Sequence, residues 1–164
     1  MNETSKMGAV IRPAPVRKSV VVATDPSRAF KVFTADIGLW WPSTHTIGST
    51  PAKSSVIEPG VGGRCYGIGE DGAEAHWGDV LVWSPPDRLV LAWRVTTQWT
   101  YDPDLTTEVD VSFTAVGEGR TRVDLEHRHL ERLGEGAAEA RARFESPNGW
   151  GKILDLYKSV VEAA

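Results

Sequence analysis

At 164 residues, 41% of them hydrophobic, the chain is the size of one compact domain and can bury roughly 70% of the surface its unfolded form exposes. A net charge of -4 with no cluster of Lys and Arg excludes a nucleic-acid binder and leaves no attraction to an anionic membrane surface. Cys65 is the single cysteine, so no intramolecular disulfide can form and a reducing cytoplasm is the expected compartment; the N-terminus shows no signal-peptide core, and no apolar run approaches the roughly 20 residues of a membrane helix.

Residues 1–15 carry no periodicity and include Pro13 and Pro15, which predicts a flexible N-terminal arm ahead of a single domain over 16–164. The β-branched run 16–23 is the first strand. Thr24-Asp25-Pro26 then opens a helix, with Asp25 as N-cap and Pro26 at the first helical position, where its missing N–H costs nothing. Ala29, Phe30 and Phe33 give this helix an apolar stripe, and Asp36-Ile37-Gly38 interrupts it. The Gly, Pro, Ser and Thr-rich stretch 38–54 holds Trp40-Trp41, an apolar pair that a fully solvated loop would not carry. Short strands follow at 55–58 and 64–68, and Glu70-Asp71-Gly72 is a hairpin turn.

The central stretch 77–95 reads as a β-hairpin broken by Ser84-Pro85-Pro86-Asp87, where proline supplies no ladder N–H. Alternation puts Trp77, Asp79, Leu81 and Trp83 on one face, and Leu89, Leu91, Trp93 and Val95 on the matching face of the partner, with Arg94 opposite. Asp79 is then a carboxylate on an otherwise apolar inner face. Strands 107–115 and 120–129 follow. Their inward sets are Val109, Val111, Phe113 and Val123, Leu125, His127; their outward sets are polar, as in an antiparallel sheet with one solvated face. Residues 130–145 form a connector with a marginal helix at 137–144, supported by alanine propensity and a Glu139/Arg143 pair. Ser146-Pro147 is expected to cap the last helix, whose stripe of Trp150, Ile153, Leu154, Tyr157 and Val161 needs the inner face of the sheet as its partner.

The order of these motifs resembles a known family: an Asp-Pro helix, Leu39-Trp40-Trp41-Pro42, Glu58-Pro59-Gly60-Val61-Gly62-Gly63-Arg64, Asp71-Gly72, Gly78-Asp79-Val80, Pro85-Pro86-Asp87-Arg88-Leu89-Val90 with Trp93, Thr121-Arg122-Val123 with His127, and Gly149-Trp150. It is that of the activator of heat-shock-protein ATPase homologues, in the START-like (SRPBCC) superfamily that also holds polyketide cyclases and aromatases. The resemblance covers nearly all of the chain after the arm. It implies an α+β helix-grip fold, in which a curved antiparallel sheet wraps a long C-terminal helix with an apolar cavity between them. It brings no shared catalytic constellation. The eukaryotic co-chaperone for which the family is named has an additional N-terminal domain that this chain has no room for, so co-chaperone activity is the least supported implication.

Inward strand faces and the helix stripe together place Trp41, Trp77, Leu91 and Trp93 around that cavity, joined by Val109, Phe113, Ile153 and Tyr157. Of the seven tryptophans, Trp83, Trp93 and Trp150 read first as core filling, whereas Trp41 and Trp99 sit on loops where aromatics meet ligands. Asp79 is either a ligand hydrogen-bond acceptor or general base, or else a strand-edge carboxylate that reaches solvent or an arginine. His127, on the inward face, is counted with Asp79 among the ligand-binding residues, its alternative being a structural role packed near Trp150. His127 and His129 share a strand face, but no third ligand accompanies them and no metal is expected. The glycines from Gly60 to Gly69 precede a strand rather than a helix, so they make no phosphate loop, and no cofactor is expected. Cys65, without a placed base, reads as a small buried hydrophobe.

Three functions are compatible with these residues. The first is binding of a small apolar, ring-containing molecule in the cavity. The second is a cyclase or hydrolase using the same cavity, with Asp79, Tyr66 or His127 moving protons. The third is a protein-interaction module or chaperone ATPase regulator, for which an exposed apolar patch would replace the cavity. Polyanionic ligands are expected to bind poorly, and Arg64 is the one cation that parity leaves unplaced as an anchor for an acidic group. Oligomeric state is not readable.

Overall fold

The computed structural model describes residues 13–163, so all but the last residues of the expected arm lie outside it; within it, the Ala14 and Pro15 carbonyls accept hydrogen bonds from Arg141. Seven strands form one antiparallel sheet: β1 (Val16–Val22), β2 (Ala52–Ile57), β3 (Arg64–Gly69), β4 (Glu74–Ser84), β5 (Arg88–Trp93), β6 (Thr107–Gly117) and β7 (Arg120–Arg128). Their order is β1-β7-β6-β5-β4-β3-β2, a continuous meander from β2 to β7 with β1 added beside β7. The sheet curls around the last of three helices, α1 (Pro26–Thr34), α2 (Ala137–Glu145) and α3 (Trp150–Glu162), as a helix-grip fold. No described helix is long and apolar enough to cross a membrane.

The start of α1 forms as its sequence dictates. Asp25 Oδ1 accepts the Arg28 N–H at 2.9 Å, Pro26 occupies the first helical position, and Ala29, Phe30 and Phe33 are buried. The stripe of α3 is likewise buried at Trp150, Ile153, Leu154, Tyr157 and Val161. Its beginning is different from the expected Ser146-Pro147 cap. Ser146 instead terminates α2, its hydroxyl donating to the Arg143 carbonyl at 2.7 Å, and α3 starts behind Gly149. A Cβ on Gly149 would lie 2.2 Å from the Phe144 carbonyl oxygen, so only glycine allows the corner to close this tightly. The corner sets Phe144 and Trp150 side by side.

Strand β4 departs from strict alternation twice. Across from β3, Cys65 pairs with Gly78 and Tyr66 with His76, which leaves Trp77 as an additional residue; across from β5, Val80 pairs with Leu91 and Val82 with Val90, which leaves Leu81 as another. Each extra residue reverses the parity of the residues after it. Trp77 and Trp83 both face the core, as alternation expects, but Asp79 lies opposite Ala92 and is turned to the outer face. There its Oδ2 accepts from Arg94 Nε at 2.7 Å and its Oδ1 meets His76 Nε2 at 3.1 Å. The inner-face carboxylate read from the sequence therefore does not exist. Gly78 belongs to the first bulge by necessity, since a Cβ there would fall 2.1 Å from the Ala92 carbonyl oxygen.

The outer face of β5 to β7 is a lattice of charges in which Arg128 reaches Glu108 and Asp110, and Arg88 reaches Asp110. Inside, a chain of hydrogen bonds joins three strands to α3. The Trp150 indole N–H donates to His127 Nδ1 at 3.1 Å, His127 Nε2 meets Thr107 Oγ1 at 2.9 Å, and Thr107 Oγ1 donates to the Trp93 carbonyl at 3.2 Å. Indole is a donor only, so Nδ1 is the acceptor and the imidazole proton resides on Nε2.

Trp150 is 4% exposed and closes this chain. Trp150→Ala is expected to cost about 3–5 kcal/mol, a large part of a domain's roughly 5–15 kcal/mol. Denaturant unfolding is the measurement. An unchanged midpoint would place Trp150 outside the grip.

Candidate functional site: an aromatic pocket at one end of the grip

Three irregular segments meet where β5 ends: the turn after Trp40, the loop after Trp93 and the α2–α3 corner. They enclose a pocket of about 230 Å³. Trp41, Trp93, Trp99, Phe144, Trp150 and Ile153 make its apolar walls, and His45, Arg143, Ser146 and Asn148 its polar rim. A narrow extension of about 20 Å³ shares Trp41, His45, Trp93 and Trp99 with it and is lined further by Trp77, Ile47 and Val95.

Each wall residue is held by its own local chemistry. Trp41 donates its indole N–H to the His45 carbonyl at 2.9 Å, which ties the ring to the turn after it. Its neighbour Trp40 is buried, with its N–H on the Val32 carbonyl of α1 at 2.9 Å. Trp41 stacks nearly parallel on Trp77, with centroids 5.8 Å apart and planes 6° from coplanar, and meets Trp150 edge-on at 5.9 Å. Trp93 stands edge-on to both Phe144 and Trp150, at 5.8 and 5.9 Å. Behind them the ring of His127, expected to meet the ligand, has no exposed surface and is not among the lining residues; it packs 4.7 Å from Phe144 and 5.4 Å from Trp93, so the imidazole braces the pocket floor from beneath. Trp99 is the opposite case. It is 47% exposed and adopts φ 62°, a left-handed backbone that costs a bulky residue of order 1–3 kcal/mol. The Thr96 and Thr100 hydroxyls, 2.7 Å apart, tie the loop that holds it there.

The row of rings continues away from the pocket. Trp40 touches Trp41, Phe33 touches Trp40, Phe113 touches Phe33, and Phe30 touches Phe113, each at 5.0–5.9 Å. These side chains decide how much of the expected cavity is empty. Trp41, Trp93 and Ile153 line the pocket and Trp77 lines its extension. Leu91, Val109, Phe113 and Tyr157 are at most 3% exposed and sit in solid core, where Phe30 and Phe33 of α1 fill the space between sheet and helix. The Tyr157 hydroxyl donates to the Ala29 carbonyl at 2.7 Å, and burial pushes its pKa up.

The remaining polar candidates lie elsewhere. Asp79 is on the outer face with Arg94, and so cannot act on a group in the pocket. Arg64 is held by Glu58 and Glu74 and lies over the Tyr66 ring, which removes both as pocket residues. His129 has φ 64°, which breaks the strand parity with His127 and leaves it beside Glu108. Burial pushes the Cys65 thiol up, so it supplies no thiolate at neutral pH. His45, Phe144, Arg143 and Asn148 were not legible as site residues. Phe144 was the one with a signal, an aromatic at the end of an alanine-rich helix.

Electrostatically the pocket holds one charge. Burial lowers the His45 pKa, and Lys152 lowers it further against an opposing contact with the Asn148 backbone, so the imidazole is neutral at pH 7. Arg143 is exposed at the rim. Among the described residues no carboxylate lines the pocket.

Residues 23–162 match the family model of Activator of Hsp90 ATPase homolog 1-like proteins. Among solved structures the chain is similar to an anthrahydroquino-gamma-pyrone synthase, Txn09, with 38% identity over 92% of this chain and 98% of that one and a TM-score of 0.65. It is also similar to CalC, a self-sacrificing resistance protein from Micromonospora echinospora, with 35% identity over 92% and 95% and a TM-score of 0.67. The Aha1 dimer from Colwellia psychrerythraea shares the fold at 15% identity, covering 92% and 97% with a TM-score of 0.59. Comparison with curated proteins returned no match.

The buried imidazole makes stability depend on pH. Burial holds the His127 pKa at about 3, below the ordinary 6.5, so the unfolded chain takes up this proton first as pH falls. The contribution is complete above pH ~6.5 and declines by about 1.4 kcal/mol per pH unit as pH falls towards 3. His45 acts with the same sign, whereas the lowered carboxylates Glu58, Asp110 and Glu145 act only at lower pH. In His127→Gln the amide still accepts from Trp150 and donates to Thr107. Between pH 6.5 and 4.5 its unfolding free energy is expected to fall less steeply than that of the wild type, by close to one proton. Equal slopes would show that His127 titrates normally in the fold.

Proposed function

We propose, for a chain that belongs to the Activator of Hsp90 ATPase homolog 1-like family, that the pocket binds a flat, ring-containing and largely apolar molecule. The observation that carries this reading is the convergence of five aromatic side chains on one open pocket, with neutral His45 and a single cation at its rim. Indole faces stabilise a stacked ring by about 0.5–1.5 kcal/mol beyond the area they bury. The space is below the ~300–1,000 Å³ that encloses a drug-sized ligand, so it takes one end of a fused-ring molecule and leaves the rest against Trp99. Similarity to a synthase named for an anthrahydroquino-pyrone supports a ligand of this shape.

A second reading is favoured by one observation. His45 is a neutral imidazole at the rim of the same pocket, suited to taking a proton at neutral pH, and the similar synthase is an enzyme by its name. On that reading the pocket orients a reactive substrate and His45 assists, in the manner of a polyketide cyclase. His45→Gln would then keep ligand affinity and lose turnover. The chaperone-regulator reading rests on the family's name and on structures of an Aha1 dimer and an HSP90 activator that share the fold alone, and no feature of the pocket favours it.

The test of ring binding is a titration of intrinsic tryptophan fluorescence with anthraquinone, against a saturated tricyclic analogue of the same size. Quenching that saturates with anthraquinone only, and that weakens about two- to tenfold in Trp41→Leu, is expected from the stacking energy. Failure of both compounds to bind would overturn the reading.

A further inference from the structure

Resting on the ring-binding reading of the pocket, we infer that its occupant also carries an anionic oxygen, a carboxylate or an ionised phenol, and that the Arg143 guanidinium holds it. Of the residues that line the pocket, Arg143 alone is charged at neutral pH. It faces no carboxylate there, in a chain that has 22 acidic residues against 18 basic ones. An ion of that sign at the mouth of an apolar pocket selects for its opposite.

Arg143 is also unused among the described residues. Among the described residues it forms no ion pair, whereas Arg64, Arg94, Arg128 and Arg141 are each engaged with carboxylates. The partner that helical spacing predicts, Glu139, is not bonded to it. The next carboxylate on the helix, Glu145, is taken by Lys18 and Arg141. Its backbone, by contrast, is fixed, because the Arg143 carbonyl accepts both the hydroxyl and the N–H of Ser146. The guanidinium is thus a free head on an anchored stem. Lys152 is close enough to act on His45, and so adds positive potential to the same rim. A planar guanidinium suits a carboxylate or phenolate better than an ammonium does, since it donates two parallel N–H bonds.

A different role for Arg143 is purely helical: it sits in the last turn of α2, where a cation complements the carbonyl end of the helix. That role would show in stability and leave ligand preference alone. The experiment separates the two. Fluorescence titrations compare anthraquinone, anthraquinone-2-carboxylate and 2-hydroxyanthraquinone, the last below and above its own ionisation, on wild type, Arg143→Gln, Arg143→Lys and Lys152→Gln. The wild type is expected to bind the carboxylate about tenfold more tightly than anthraquinone at low salt, with the margin shrinking as salt is added. Arg143→Gln removes the margin, read as the ratio of carboxylate to anthraquinone affinity within each variant, Arg143→Lys keeps part of it, and Lys152→Gln keeps most. A phenol that gains affinity on ionising, only when Arg143 is present, identifies phenolate as a ligand group alongside carboxylate. A carboxylate that binds no better than anthraquinone, or a margin that survives Arg143→Gln, overturns the inference and leaves ring binding standing. Absence of quenching by all three compounds overturns ring binding and the inference together. Arg143 is exposed, so the variants are expected to fold; their melting curves report any helical role.

Discussion

The pocket end of the molecule depends on a neutral imidazole sealed between Thr107 and Trp150. With no exposed surface, His127 has no water to satisfy it, and both ring nitrogens are met by protein groups. A buried polar group left without a partner costs about 1–3 kcal/mol, so each neighbour of this ring is held to its place by the others. The consequence reaches three elements. Trp150 fixes the start of α3, Thr107 the start of β6, and the Trp93 carbonyl the end of β5, and these are the places from which the pocket walls rise.

Two local distortions complete the arrangement, and both require glycine. The bulge at Trp77 and Gly78 keeps an indole on the core face while rotating Asp79 out to Arg94. The same sheet can therefore carry a charged, solvated exterior and an aromatic interior without a carboxylate in its core. The corner at Gly149 brings the end of α2 against the start of α3, so that Phe144 and Trp150 come from different helices yet share one wall. Neither distortion alters the order of the meander.

Periodicity and chain punctuation made much of the fold legible in the sequence. Proline and glycine clusters bounded the strands, Asp25-Pro26 opened α1, and the period-2 and period-3.6 patterns identified the inner faces of β6, β7 and α3. Asp79 was misplaced because parity counting assumes a regular ladder, and one inserted residue is invisible in a run of alternating apolar side chains. Ser146-Pro147 misled for a related reason: the signature that begins one helix can also end another. The extent of the pocket was beyond a pattern reading. Inner faces say which side chains point inwards, but whether space remains depends on the volumes of Phe30, Phe33 and Trp40, which enter from elements outside the sheet. His45 lies in a segment with no periodicity and Arg143 on a helix with no apolar stripe to orient it, and only the closure of the chain brings them to the same rim.

The contiguous row of rings from Phe30 to Trp150 has a thermodynamic consequence. A binding surface of long, freely rotating side chains must be ordered when its ligand arrives, at about 0.5–1.5 kcal/mol for each one immobilised. Here the indoles of Trp41, Trp93 and Trp150 are already locked edge-to-face against one another or against rings behind them. Their ordering occurs during folding, before any ligand is present. Affinity and stability are therefore drawn from the same contacts, and a change that loosens a ring far along the row, at Phe33 or Phe113, softens a surface it never touches.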